Sequence, residues 1–173
     1  MIFITKSKIL SFFFCLILFY FASSISATAY QIVRYPFDTN SNISANYGQY
    51  RIYRDLNNQI VYRGGHEGID LIEAKGTPVY PIAVGKIKFI SYPSIDSKVG
   101  YGRYVVIDYG DFETLYGHLN DIVRDENGRL PSLGSTVDPS KPIGYVGTTG
   151  NSTGSHLHYG LGSNIEFTSK GVV

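Results

Sequence analysis

The chain is predicted to fold as an all-β domain, and three observations point there. Glycine (19) and tyrosine (15) are abundant among 173 residues, with many Val and Ile beside them. Turn signals recur roughly every eight to twelve residues. No long segment keeps a helical period, and β-branched and aromatic residues favour a pleated, half-buried surface.

The elements follow in order. Lys6 and Lys8 give a short basic start, residues 9–22 are apolar, and Ala27-Thr28-Ala29 is a small-residue site of signal-peptidase type. Residues 1–29 therefore read as a signal peptide, with Tyr30 opening a mature chain that keeps no stable membrane anchor. A retained anchor is the alternative, although the apolar stretch falls short of the ~18–20 residues of a spanning helix.

Residues 30–63 read as an opening strand and a polar loop, with 50–63 taken as the loop. This loop is either a groove wall or a solvated connector. Strands are expected at 79–83, 86–91, 104–108, 114–119, 143–146 and 156–161. Between them lie turns at Val84-Gly85, Val99-Gly100-Tyr101-Gly102, Tyr109-Gly110-Asp111 and Glu126-Asn127-Gly128. Residues 121–142, with Pro131, Pro139 and Pro142, form a second polar loop. The turn at 147–154 lacks the lysine of a phosphate loop and leads into a strand, so it shapes a groove floor rather than cradling phosphate.

Composition narrows the chemistry. Cys15 is the only cysteine and lies inside the leader with no lipobox around it. The mature chain thus has neither disulfides nor thiolate metal ligands. Removing Lys6 and Lys8 from the 15 basic residues leaves 13 against 14 acidic ones. That balance does not indicate strong attraction to nucleic acid or an acidic polymer. One domain is expected, and a monomer.

All four histidines lie in short motifs. In His156-Leu157-His158 the two histidines share a strand face, their Cα atoms about 6.5–7 Å apart. One can bind a metal while the other stands beside it. His66-Glu67-Gly68-Ile69-Asp70 offers an imidazole and a carboxylate, both usual zinc ligands. On an extended strand those two residues would be about 13 Å apart, so the motif belongs on a bent, glycine-loosened strand, with Glu67 pointing elsewhere. In Thr114-Leu115-Tyr116-Gly117-His118-Leu119, alternation puts Thr114, Tyr116 and His118 on one face as a cleft wall. Tyr116 is a candidate substrate-binding residue, a hydrogen-bond donor to an oxyanion, with a packed structural tyrosine as the alternative.

Four ordered blocks carry a resemblance over about residues 43–159. They are His66-Glu-Gly-Ile-Asp70-Leu, Gly76-Thr-Pro-Val-Tyr-Pro-Ile-Ala-Val-Gly85, Tyr116-Gly-His118-Leu and Gly147-Thr-Thr-Gly-Asn-Ser-Thr-Gly154-Ser-His-Leu-His158. In order and spacing the chain resembles the M23 family, the lysostaphin-like or LytM-type zinc endopeptidases. The resemblance implies a compact two-sheet β-sandwich with a zinc site in a groove, its peptidase core at 64–173 and 43–48 as its first strand. It implies one zinc ion per domain held by His66, Asp70 and His158, with His118 and His156 as catalytic histidines beside it. Three protein ligands leave the fourth position open, as in a catalytic site.

The implied substrate is peptidoglycan peptide, and the implied place of action is the periplasm or the external medium. Three other functions stand beside it: a regulator that activates a cell-wall amidase, a pure peptidoglycan-binding module, and a metalloprotease of proteins. The family pattern usually continues after the second histidine with an aromatic residue and then Glu, whereas this chain reads His158-Tyr159-Gly160. The missing carboxylate is not a metal ligand.

Overall fold

The computed structural model describes residues 32–54, 57–163, 167–168 and 171–172. The expected signal peptide, its apolar stretch and Tyr30 lie outside the described residues. Among the described residues there is no helix, hence none able to cross a membrane. Strands β1 (Asn42–Ala45), β2 (Tyr50–Arg54), β3 (Ile60–Gly65), β4 (Ile69–Ile72) and β5 (Pro78–Val79) come first. Then follow β6 (Gly85–Ser91), β7 (Tyr104–Asp108), β8 (Glu113–Gly117), β9 (Leu119–Ile122) and β10 (Thr136–Val137). The last are β11 (Gly144–Val146), β12 (His156–Gly162), β13 (Phe167–Thr168) and β14 (Gly171–Val172).

A seven-stranded antiparallel sheet has the order β1-β4-β12-β8-β7-β6-β10, and a three-stranded sheet the order β5-β11-β9. The core gathers Leu71, Val105, Ile107, Tyr116 and Leu157 of the large sheet with Val79, Leu119, Ile122 and Val146 of the small one. Each such aliphatic side chain removed from water contributes about 1.5–3 kcal/mol. In β12 and β4 the alternation is clean: Leu157 and Leu71 turn into the core, so His156, His158 and Asp70 turn to the opposite face.

The expected strands at 86–91, 104–108, 143–146 and 156–161 appear within a residue or so at either end. Three expectations are corrected. The strand at 79–83 stops at Val79, because Pro81 has no N–H for a ladder; the Ile82 N–H donates instead to the Tyr116 hydroxyl (3.2 Å). The loop at 50–63 is the β2–β3 hairpin. Its Tyr, Ile and Val residues favour strand, and Asn58 takes the left-handed conformation (φ 61°) that a tight turn requires.

The strand at 114–119 is two strands. His118, at φ 60°, breaks the chain between β8 in the large sheet and β9 in the small one.

Candidate metal centre

Three ligand atoms converge where the β3–β4 connection meets β4 and β12. His66 Nε2, Asp70 Oδ1 and His158 Nδ1 stand 3.0 Å from one another, all buried. Sheet register supplies part of this, since Asp70 and His158 are cross-strand partners on β4 and β12. His66 lies just beyond β3, where its N–H donates to Gln49 O (2.9 Å) and its own carbonyl accepts the Gly48 N–H (2.8 Å). Gly68 lets the bend pass over β12: a Cβ there would stand 2.5 Å from Tyr159 O and 2.9 Å from His158 Nε2.

These residues fit a small tetrahedral ion. Bonds of about 2.0–2.1 Å put neighbouring tetrahedral ligands about 3.3 Å apart, close to the observed triangle. The donor set, two imidazole nitrogens and one carboxylate oxygen, suits zinc and lacks the thiolates of structural sites. Tautomers agree. A carbonyl only accepts, so the contact of His66 Nδ1 with Asn46 O (3.1 Å) fixes the proton on Nδ1 and leaves the Nε2 lone pair for a metal.

His118 and His156 flank the triangle, their ring centroids 4.8 Å apart, and His118 lies 5.8 Å from His158. His156 Nε2 is 3.7 Å from Asp70 Oδ1. Both rings are oriented by the 147–154 turn: His118 Nδ1–H donates to Thr149 O (2.8 Å) and His156 Nδ1–H to Gly154 O (2.9 Å). Each ring thus keeps Nε2 as its proton-accepting atom. Thr149 is itself fixed, its hydroxyl donating to Leu119 O and accepting the Arg103 N–H, both at 2.9 Å.

His118 reaches the groove by a route alternation does not give. Gly117 pairs with His158 and shares its face, so Tyr116 and a regular His118 would face the core. The left-handed turn at His118 reverses it. Tyr116 obeys alternation and is fully buried, its hydroxyl engaged by the Ile82 N–H and the Tyr109 hydroxyl (3.1 Å). The expectation that Tyr116 binds substrate is therefore corrected: it is a packed core tyrosine. Burial pushes its hydroxyl well above the usual phenol range.

A different tyrosine borders the site. The Tyr101 ring lies 4.7 Å from His158 and 6.3 Å from His118, its carbonyl accepts the His118 N–H (2.8 Å), and its hydroxyl donates to Glu67. Glu67 turns away from the triangle and meets this hydroxyl. Gly100 (φ 55°) and Gly102 (φ 62°) let the tyrosine project, and a Cβ on Gly102 would stand 2.4 Å from the Thr149 backbone. In sequence Gly-Tyr-Gly reads only as a turn.

Electrostatics favour cation binding. Burial opposes charge on Asp70, yet the adjoining His158 and His66 imidazoles outweigh it and hold the carboxyl far below the usual carboxylate range. Burial lowers His158. Burial, then repulsion from His158 and His156, lowers His118 to about 3. An unfolded histidine titrates near 6.5, so between these values the unfolded chain binds the extra proton. Stability from His118 is therefore present above about 6.5 and lost as pH falls toward 3. Metal-free protein should melt at steadily lower temperature across that window. His118→Asn should lessen the trend and leave the part that belongs to His158, measured by circular dichroism melts at stepped pH.

The sequence profile of peptidase family M23 matches residues 64–168. The chain belongs to peptidase family M23. This M23 chain is 34% identical over 130 residues to the peptidoglycan DD-endopeptidase ShyA of Vibrio cholerae, covering 74% of the chain and 26% of that protein. It is 41% identical over 95 residues to the DD-carboxypeptidase/endopeptidase Mpg of Neisseria meningitidis, covering 54% of the chain and 19% of that protein. It thus spans about a quarter or less of the length of these curated relatives. The catalytic domain of lysostaphin from Staphylococcus simulans superposes with a TM-score of 0.56 at 27% identity, over 77% of this chain and 87% of that one. A zinc containing peptidase from Vibrio cholerae does so with a TM-score of 0.56 at 28% identity, over 76% and 36%.

Proposed function

We propose that the chain is a secreted zinc metalloendopeptidase that hydrolyses peptide bonds in bacterial peptidoglycan. One observation carries the reading: His66, Asp70 and His158 converge at 3.0 Å in an M23 chain, with His118 and His156 alongside. The relatives named as peptidoglycan DD-endopeptidases, ShyA and ShyC of Vibrio cholerae, support the substrate. Peptidoglycan lies outside the cytoplasm, so action in the periplasm or external medium agrees with a leader at 1–29 and a mature chain from Tyr30. The chain acts as a monomer.

His66, Asp70 and His158 would hold a zinc ion, which would supply Lewis acidity for the scissile carbonyl and for a water nucleophile near neutral pH. The remaining steps belong to side chains. His118, neutral at physiological pH, accepts a proton at Nε2 while its Nδ1–H stays on Thr149 O. His156 is held the same way by Gly154 O. One of the two takes the proton from the nucleophile, and the other steadies the developing charge or protonates the leaving amine. Tyr101, held by Glu67, roofs His158 and limits water at that side.

Zinc-loaded protein is expected to release soluble peptides from purified sacculi, exposing new amino groups and no new reducing sugar ends, and chelation should stop it. A regulator that activates a cell-wall amidase has no need of three converging ligands. That reading takes over if sacculi of several wall chemistries stay intact while an added amidase is stimulated. Cleavage of a casein substrate with intact sacculi would point to a protease of proteins.

A further inference from the structure

Two rows of cross-strand neighbours floor the groove. One runs Ala45, Asp70, His158, Gly117, and the next runs Asn42, Ile72, His156, Gly147. Paired residues share a face, so Ile72 rises on the side of the metal triangle, about 6.5–7 Å along β4 from Asp70. Beyond the first row the floor is covered. The bend at Glu67 and Gly68 crosses β12, leaving Glu67 O 3.5 Å from where a Cβ of Gly160 would stand.

In the other direction the floor stays open. Ile72 is 49% exposed, while Leu71 beside it, facing the core, is 1% exposed. A peptide reaching His156 along the open side therefore meets an aliphatic surface at its next residue. An aliphatic side chain in water gains free energy from an apolar neighbour and nothing from a residue without a side chain.

We propose that Ile72 is a specificity-determining residue. It receives the substrate residue on the His156 side of the scissile bond and favours one carrying a methyl or larger aliphatic group over glycine. The assignment rests on the hydrolase reading above. It points to alanine-bearing stem or cross-link peptides rather than all-glycine bridges. A methyl group in a closed pocket discriminates by about 10-fold or more, and a half-open surface should give about three- to tenfold.

The test uses synthetic peptide pairs that differ only by alanine or glycine at one position, scanned across both sides of the bond. The alanine-to-glycine ratio of kcat/KM, and of affinity by calorimetry, is measured for the zinc-loaded chain, Ile72→Val and Ile72→Ser, matched for metal content. At one position the ratio should be about three- to tenfold in the natural protein, persist in Ile72→Val and fall to about one in Ile72→Ser. A ratio near one in the natural protein, or an unchanged ratio in Ile72→Ser, overturns the assignment. Binding decides the point where no peptide is cut, and absence of all cleavage counts against the hydrolase reading instead.

Discussion

Replacing His66, Asp70 or His158 by alanine is expected to remove bound zinc and hydrolysis together. Each side chain gives one corner of a triangle with 3.0 Å edges, so two corners remain after any one loss. Even residues that only orient a ligand are worth about 10–100-fold in metal affinity, so loss of a ligand should exceed about 100-fold. Metal analysis after dialysis and turnover on the same preparation measure both effects. Metal binding is also linked to folding, so the rise in melting temperature on adding zinc should vanish in all three variants. Full zinc content in His158→Ala would mean that His156 is the ligand of the pair.

His118 and His156 are expected to behave differently, keeping near-stoichiometric zinc while turnover falls by about 10²–10⁴-fold, the contribution of a positioned acid or base. Their Nδ1 atoms are committed to Thr149 O and Gly154 O, outside the triangle. His156→Ala is a simple truncation. At position 118 the left-handed backbone makes alanine strained, so His118→Asn is the better variant, because asparagine tolerates that conformation. Zinc lost in step with activity in either variant would refute the division of roles.

The face of the sheet that carries the centre is legible in the sequence wherever a strand is regular. Leu71 and Leu157 mark the core side of β4 and β12, and Asp70, His156 and His158 follow on the other by alternation. His118 is legible as a residue of interest but not in its placement. Alternation groups it with Tyr116, and only a positive φ, which histidine adopts rarely, sends it the other way. The same grouping puts Tyr116 in the groove, whereas it is buried in the core. Tyr101 is not legible in the sequence, because its importance lies in contacts with Glu67 and His158, far away along the chain. The β2–β3 hairpin was hidden by its arginines and asparagines, which read as loop although Tyr, Ile and Val there favour strand.

The position of β12 between β4 and β8 has a temporal meaning. Two of the five groups around the centre, His156 and His158, lie on that one strand, and the contact between Asp70 and His158 spans 88 residues of chain. Pairings over such separations form late, because the loop between them must first be closed. A nascent or still unfolded chain therefore holds scattered histidines and no assembled ligand triangle. The seat of β12 between β4 and β8 is what brings His158 to Asp70, so the triangle is complete only once that strand, the last of the large sheet in sequence, has paired.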